Sequence, residues 1–170
     1  MSELTPWFSR SFPFPVSVEL LPHIASRLRG TPVRLEALLK DVDSERLKSK
    51  QHGQWSIQEH AGHLLDIEPL WLSRVEDFAN GASELTPTDL RNSRTDEADH
   101  NAKSLAAILH AFSSARAALL RRIEDPTVIQ ISKSIQHPRL CVPMGIADHL
   151  YFVAEHDDHH LATIHSLLTL

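Results

Sequence analysis

The stretch that decides the fold runs Ile146-Ala147-Asp148-His149-Leu150-Tyr151-Phe152-Val153-Ala154-Glu155-His156-Asp157-Asp158-His159-His160-Leu161-Ala162-Thr163-Ile164-His165-Ser166-Leu167-Leu168. It holds no proline or glycine, and its apolar residues recur at helical spacing, which predicts one long amphipathic helix from about Met144 to Leu168. At about 100° per residue, Ile146, Val153, Ile164 and Leu167 point to one side, and His149, His156 and His160 point there too. His159 sits at the border of that face and His165 points away. Imidazoles in an apolar core cost free energy unless their nitrogens find partners. Hydrogen bonds to facing side chains are one solution. A metal ion is the other, and His156 and His160, at i and i+4, are spaced to share one.

Upstream, Ser56 and Glu59 make the S-x-x-E capping box that opens a second long helix. Its inner stripe is His63, Ile67, Leu70, Trp71 and Phe78, with His60 close to the same face, so spacing alone does not choose between the two histidines. Pro69, in the middle, predicts a kink that frees the carbonyl of Leu65. Leu105, Ile108, Leu109, Phe112, Leu119 and Ile123 mark a third helix, closed by Asp125-Pro126. Near the start, Gly30-Thr31-Pro32 predicts a break between two helical stretches, with Thr31 as N-cap and Pro32 at the first helical position. Asp41 to Gln54 reads as a loop, and Val128 to Pro143 as irregular. Asn80 to about Asp99 is a long polar connection of the kind that crosses an end of a bundle or serves a site. Pro6, Pro13 and Pro15 keep the first residues out of a helix, and Trp7, Phe8, Phe12 and Phe14 predict an extended arm docked on the domain. The expected architecture is all-α: a four-helix bundle with an extended N-terminal arm, one domain over residues 1–170.

Composition excludes several classes. The chain has 170 residues, enough for one core, and a net charge of −5, which argues against a nucleic-acid footprint. No apolar run has the length of a membrane span, and the N-terminus lacks a basic region followed by an apolar core, so a cytoplasmic address is expected. The single cysteine, Cys141, allows no internal disulfide. Twelve histidines are many for this length, and they gather in the helices just described.

Two motifs resemble the DinB-like (DinB/YfiT-like) superfamily of small metal-binding four-helix bundles. One is W-S-x-x-E-x-x-x-H-L, met by Trp55, Ser56, Glu59, His63 and Leu64; the other is the C-terminal H-x-x-x-H of His156 and His160. Trp7-Phe8-x-Arg10-x-Phe12 and His137-Pro138-Arg139-Leu140 are similar to one branch of it. Thr163 departs from the pattern, since relatives often carry glutamine there. The resemblance implies an up-down-down-up topology and a metal held by His63, His156 and His160. It also implies metal-dependent hydrolase or thiol-dependent transferase chemistry in some members, and homodimers in many.

Three neutral imidazoles leave a divalent transition metal its full charge and at least one open position. Such an ion makes hydroxide available near neutral pH, or binds and ionises a low-molecular-weight thiol. Zinc, nickel and iron are the expected identities, and copper also suits imidazole. The expected partner is a small-molecule substrate, with or without a thiol. Around the ligands, Glu59 is a candidate base or orienting group besides its role in the capping box. His149 is a candidate for the open position, or a core hydrogen bond. Arg116, on the apolar stripe of the third helix, is a candidate for binding an anionic substrate group, or an ion-paired or snorkelling side chain. Metal affinity should fall as acid protonates the three ligands, whose ordinary pKa is about 6.5. The competing reading is a closed, non-catalytic, metal-stabilised structural or stress-response bundle.

Overall fold

The computed structural model describes residues 4–51, 53–129 and 133–169. Its helices are α1 (Leu21–Leu39), the short α2 (Ser44–Lys48), α3 (Ile57–Asn80), the short α4 (Ser93–Glu97), α5 (Leu105–Ile123), α6 (Pro126–Ile129) and α7 (Ile146–Thr169). The four long ones form the bundle. Cross-helix contacts give their directions. Glu68 and Glu76 of α3 meet Arg116 and Arg122 of α5 in the same order, so these helices are parallel. Ile24 and Leu28 of α1 share a core cluster with Val153 of α7, while Leu35 and Leu39 share one with Ile164, so α1 and α7 also run in the same direction. Helices α3 and α7 are antiparallel, since His60 meets His160 and His63 meets His156. The topology is therefore up-down-down-up, and the parallel α3–α5 pair requires a connection that travels the length of the bundle. Its far end is pinned beside the start of α3, where Gln58 Nε2 donates to the carbonyls of His100 and Lys103.

The core falls into two apolar halves. One gathers Leu28, Trp71, Phe78, Leu119 and Val153; the other gathers Leu35, Leu64, Phe112 and Ile164. Beside them lies a polar layer with one residue from each long helix: Thr31, Glu68, Arg116 and Asp157, all buried. Arg116 donates to both carboxylates, with Nη1 2.5 Å from Asp157 and Nη2 2.5 Å from Glu68, and Thr31 Oγ1 donates to Asp157 at 2.8 Å.

That layer explains the first departure from expectation. Helix α1 continues through Gly30-Thr31-Pro32, and Thr31 is no N-cap. Pro32 has no N–H for the carbonyl of Leu28, four residues earlier, but Arg116 Nη1 donates to that oxygen at 3.1 Å, so the interruption is satisfied from α5. Helix α3, by contrast, runs through Pro69 as one helix, as expected. Within the expected 41–54 loop lies α2, capped by Asp43 and anchored by buried Leu47. The expected irregular segment 128–143 contains the end of α6 and, with Met144, a two-residue antiparallel pairing of β1 (Ile135–Gln136) with β2 (Pro143–Met144); its residues 130–132 lie outside the described residues. The N-terminal arm docks on α7: Trp7 and Phe12 pack on Phe152, and Arg10 pairs with Glu155. Among the described residues, no helix is long and apolar enough to cross a membrane.

Candidate metal centre

The capping box of Ser56 and Glu59 fixes where α3 begins, and so which of its faces meets α7. His63, one turn further on, then points at His156 and His160. One nitrogen of each of these three buried rings lies within 4.8 Å of the other two. The Nε2 atoms of His63 and His156 are 3.4 Å apart. Ligand nitrogens of a tetrahedral ion, each about 2.0–2.1 Å from it, would be about 3.3 Å apart, so the pair fits a metal edge.

Two of the rings are oriented from behind. His63 Nδ1 is 3.0 Å from Thr95 Oγ1, and His160 Nδ1 is 3.0 Å from His60 Nδ1. Each contact engages Nδ1 and leaves Nε2 for a ligand bond, the usual arrangement of metal-binding histidines. His156 Nδ1 is buried with no hydrogen-bond partner among the described residues. That ring is held by packing instead, with Trp7 at 5.0 Å between ring centres and Trp71 at 5.4 Å, both edge-on.

Electrostatics favour the neutral, metal-binding form. Burial, with His60 adding to it, pushes His63 down to about 4. Burial and the neighbouring imidazoles hold His156 and His160 well below the ordinary histidine range. Burial and His159 likewise lower His60 to about 4. At neutral pH the three rings of the centre are unprotonated and free to donate lone pairs.

A cavity of about 160 Å³ opens against the triad. Aromatic and aliphatic side chains, among them Trp7, Trp55, Ile67, Leu70, Trp71 and Phe152, form much of its wall, and Arg74, His137 and Arg139 are among its polar members.

The other sequence candidates lie elsewhere. Glu59 keeps both carboxylate oxygens at the helix start, one accepting from Ser56 N at 2.8 Å and the other paired with Lys50 at 2.6 Å, and it does not line the cavity. His149 Nε2 lies 3.3 Å from the carbonyl of Trp71, to which it donates; the ring is fully buried and is also absent from the cavity wall. Arg116 takes the ion-paired alternative of its readings: its guanidinium is held by Glu68 and Asp157 in the polar layer and does not line the cavity, so it is not placed to bind an anionic substrate group there. Asp157 serves that same layer rather than an imidazole, and Asp158 pairs with Arg27 and Arg34. Thr95, Arg74 and Arg139 escape a reading based on residue type and spacing. Thr95 lies in a short helix of the long connection and carries no pattern of its own, whereas Arg74 sits on the inner stripe of α3 one turn after Trp71.

Fold and site together define a four-helix bundle with a three-histidine centre of metal-binding geometry. A profile of the DinB superfamily matches residues 27–164, and the chain belongs to that superfamily. Among solved structures it is similar to YfiT from Bacillus subtilis, described as a probable metal-dependent hydrolase with an unusual four-helix bundle topology. The likeness has a TM-score of 0.80 at 17% identity and covers 93% of this chain and 91% of that one. No curated protein matches the sequence.

Proposed function

We propose that this protein is a metal-dependent enzyme that activates water or a low-molecular-weight thiol for attack on a small organic substrate. The observation that carries the reading is the convergence of three buried, neutral imidazoles on the wall of a largely apolar cavity. A divalent ion held by His63, His156 and His160 would supply Lewis acidity, and with it a nucleophile at neutral pH. The protein's own groups do the rest. Thr95 and His60 hold two ligand rings in place, and the aromatic wall displaces water and limits the substrate's bulk. The description of YfiT as a probable metal-dependent hydrolase supports the hydrolytic branch. Against the closed structural bundle stands the make-up of the cluster: His63, His156 and His160 converge, and neither His149 nor His60 belongs to that group.

The test is to load the purified protein with cobalt and record its visible spectrum with azide or a small thiol added, alongside a screen of esters and of thiol–electrophile pairs. The expected result is one ion per chain and a spectrum that changes with added ligand. A spectrum indifferent to every addition means a closed shell, and the structural reading then replaces this one.

A further inference from the structure

Besides the imidazole triad, the cavity wall carries more hydrogen-bond donors than the protein satisfies. Arg74 is buried, its Nε donating to the carbonyl of Thr86 at 2.8 Å, while Nη2 has no partner among the described residues. Arg139 Nη2 is also buried without a partner, and its guanidinium lies over the rings of Phe8 and Phe152. Trp71 Nε1, on the same wall, is a third unpartnered donor. Neither arginine forms an ion pair among the described residues. Asp77, near Arg74, is engaged by Thr86 N at 2.6 Å, and Asp89, which also lines the cavity, accepts from the backbone of Arg91 and Ser93.

His137 adds to the excess. Its Nδ1 faces the backbone N–H groups of Arg139 and Leu140 at 3.2 and 3.1 Å, so Nδ1 acts as acceptor and the neutral ring carries its proton on Nε2. That Nε2 lies 3.1 Å from Arg74 Nη1, so two donors face each other. Burial, then Arg74 and Arg139, lower His137 to about 4, in keeping with a neutral ring. Burial also lowers Arg74 to about 10, which leaves it charged at neutral pH. Two unpaired cations with buried N–H groups and a surplus imidazole N–H are costly unless an acceptor-rich anion joins them.

We propose that Arg74 and Arg139, with His137 between them, form an anion subsite that takes the carboxylate of a small, otherwise apolar substrate whose other end reaches the triad. The size follows from the cavity: about 160 Å³ is close to the roughly 150 Å³ that accommodates a benzene ring. The ligand is therefore a monocarboxylate with a body of about one ring. The orientation rests on the metal-centre reading above, but the subsite itself does not.

The experiment titrates metal-free protein with benzoate and with benzyl alcohol, a neutral molecule of similar shape, by calorimetry, and repeats both with Arg74→Gln and Arg139→Gln. Benzoate should bind the parent protein at least about tenfold more tightly than benzyl alcohol, the scale of a charge-assisted bond. Each substitution should remove most of that preference and leave benzyl alcohol binding unchanged. Arg139 is only half-buried, so Arg139→Gln decides the test if Arg74→Gln does not fold. Equal affinity for the two probes, absence of benzoate binding, or undiminished benzoate binding by Arg139→Gln overturns the subsite. Zinc titration of the same samples separates the two readings: zinc binding without a benzoate preference rejects the subsite alone, and a benzoate preference without zinc binding rejects the metal centre alone.

Discussion

At the scale of single residues, the centre depends on what stands behind each ligand. His63, His156 and His160 have no substitute, so replacing any one by alanine should strip the metal, while His165→Ala, on the exposed side of α7, should leave occupancy unchanged. Elemental analysis after dialysis checks this, and full occupancy in all three ligand variants would rule out the site. Thr95 offers a finer probe. Its hydroxyl touches His63 Nδ1 at 3.0 Å, and valine keeps the shape without the oxygen. Thr95→Val should weaken metal affinity by about tenfold or more, within the range typical of such supporting bonds, with little change in the metal-free fold. Unchanged affinity in a competition titration would mean that packing against Trp55, 4.8 Å away between ring centres, positions His63 instead.

At the scale of elements, the long connection is tied to α3 by a close approach. A Cβ on Gly62 would lie 2.2 Å from the ring of His100, which bonds Asp66 at 2.7 Å. Gly62→Ala should therefore lift His100 off α3 and destabilise the protein by about 1–3 kcal/mol, the usual cost of overpacking. Denaturant melts measure the loss, and hydrogen exchange should show it concentrated around His100 and its neighbours; an unaltered melt would mean that the ring moves aside freely. The four helices are legible in the sequence because their apolar stripes and the Ser56–Glu59 box are local signals. Pro32 is not, because its local meaning is a break, and the group that cancels it, Arg116, stands 88 residues along the chain from the Leu28 carbonyl it serves. The ligand face of α7 is legible from spacing, while the choice of His63 over His60 comes from the family motif. The partners of His149 and Arg116, and Lys50 as the second partner of Glu59, are not legible, since they depend on which side chains the folded chain brings together.

At the scale of the whole molecule, polar groups are gathered into a buried layer that links all four long helices and into a set of buried neutral histidines. The layer is exacting. Asp157→Asn leaves Arg116 short of a buried counter-charge and should cost about 3–5 kcal/mol in a denaturant melt. The histidines set the response to acid. His60, His63 and His137 are lowered to about 4 and His149 to about 3, mainly by burial, against about 6.5 in the unfolded chain. A depressed pKa means that unfolding takes up protons, so this stability is complete above about pH 6.5 and is lost as pH falls towards the folded values near 4, at about 1.4 kcal/mol per pH unit for each proton taken up. Metal binding follows the folded values too. Protons compete for His63, held at about 4, and for His156 and His160, held well below the ordinary histidine range, only where the folded rings titrate. At fixed free zinc the extra stability given by the metal should therefore persist below about pH 6.5 and fall as pH approaches the His63 value of about 4. Thermal melts with and without zinc across that range separate the two effects. A metal-free protein whose stability is flat between about pH 6.5 and 4.5, or a zinc increment already gone at about pH 6, would mean that these rings are not held buried and neutral in the bundle.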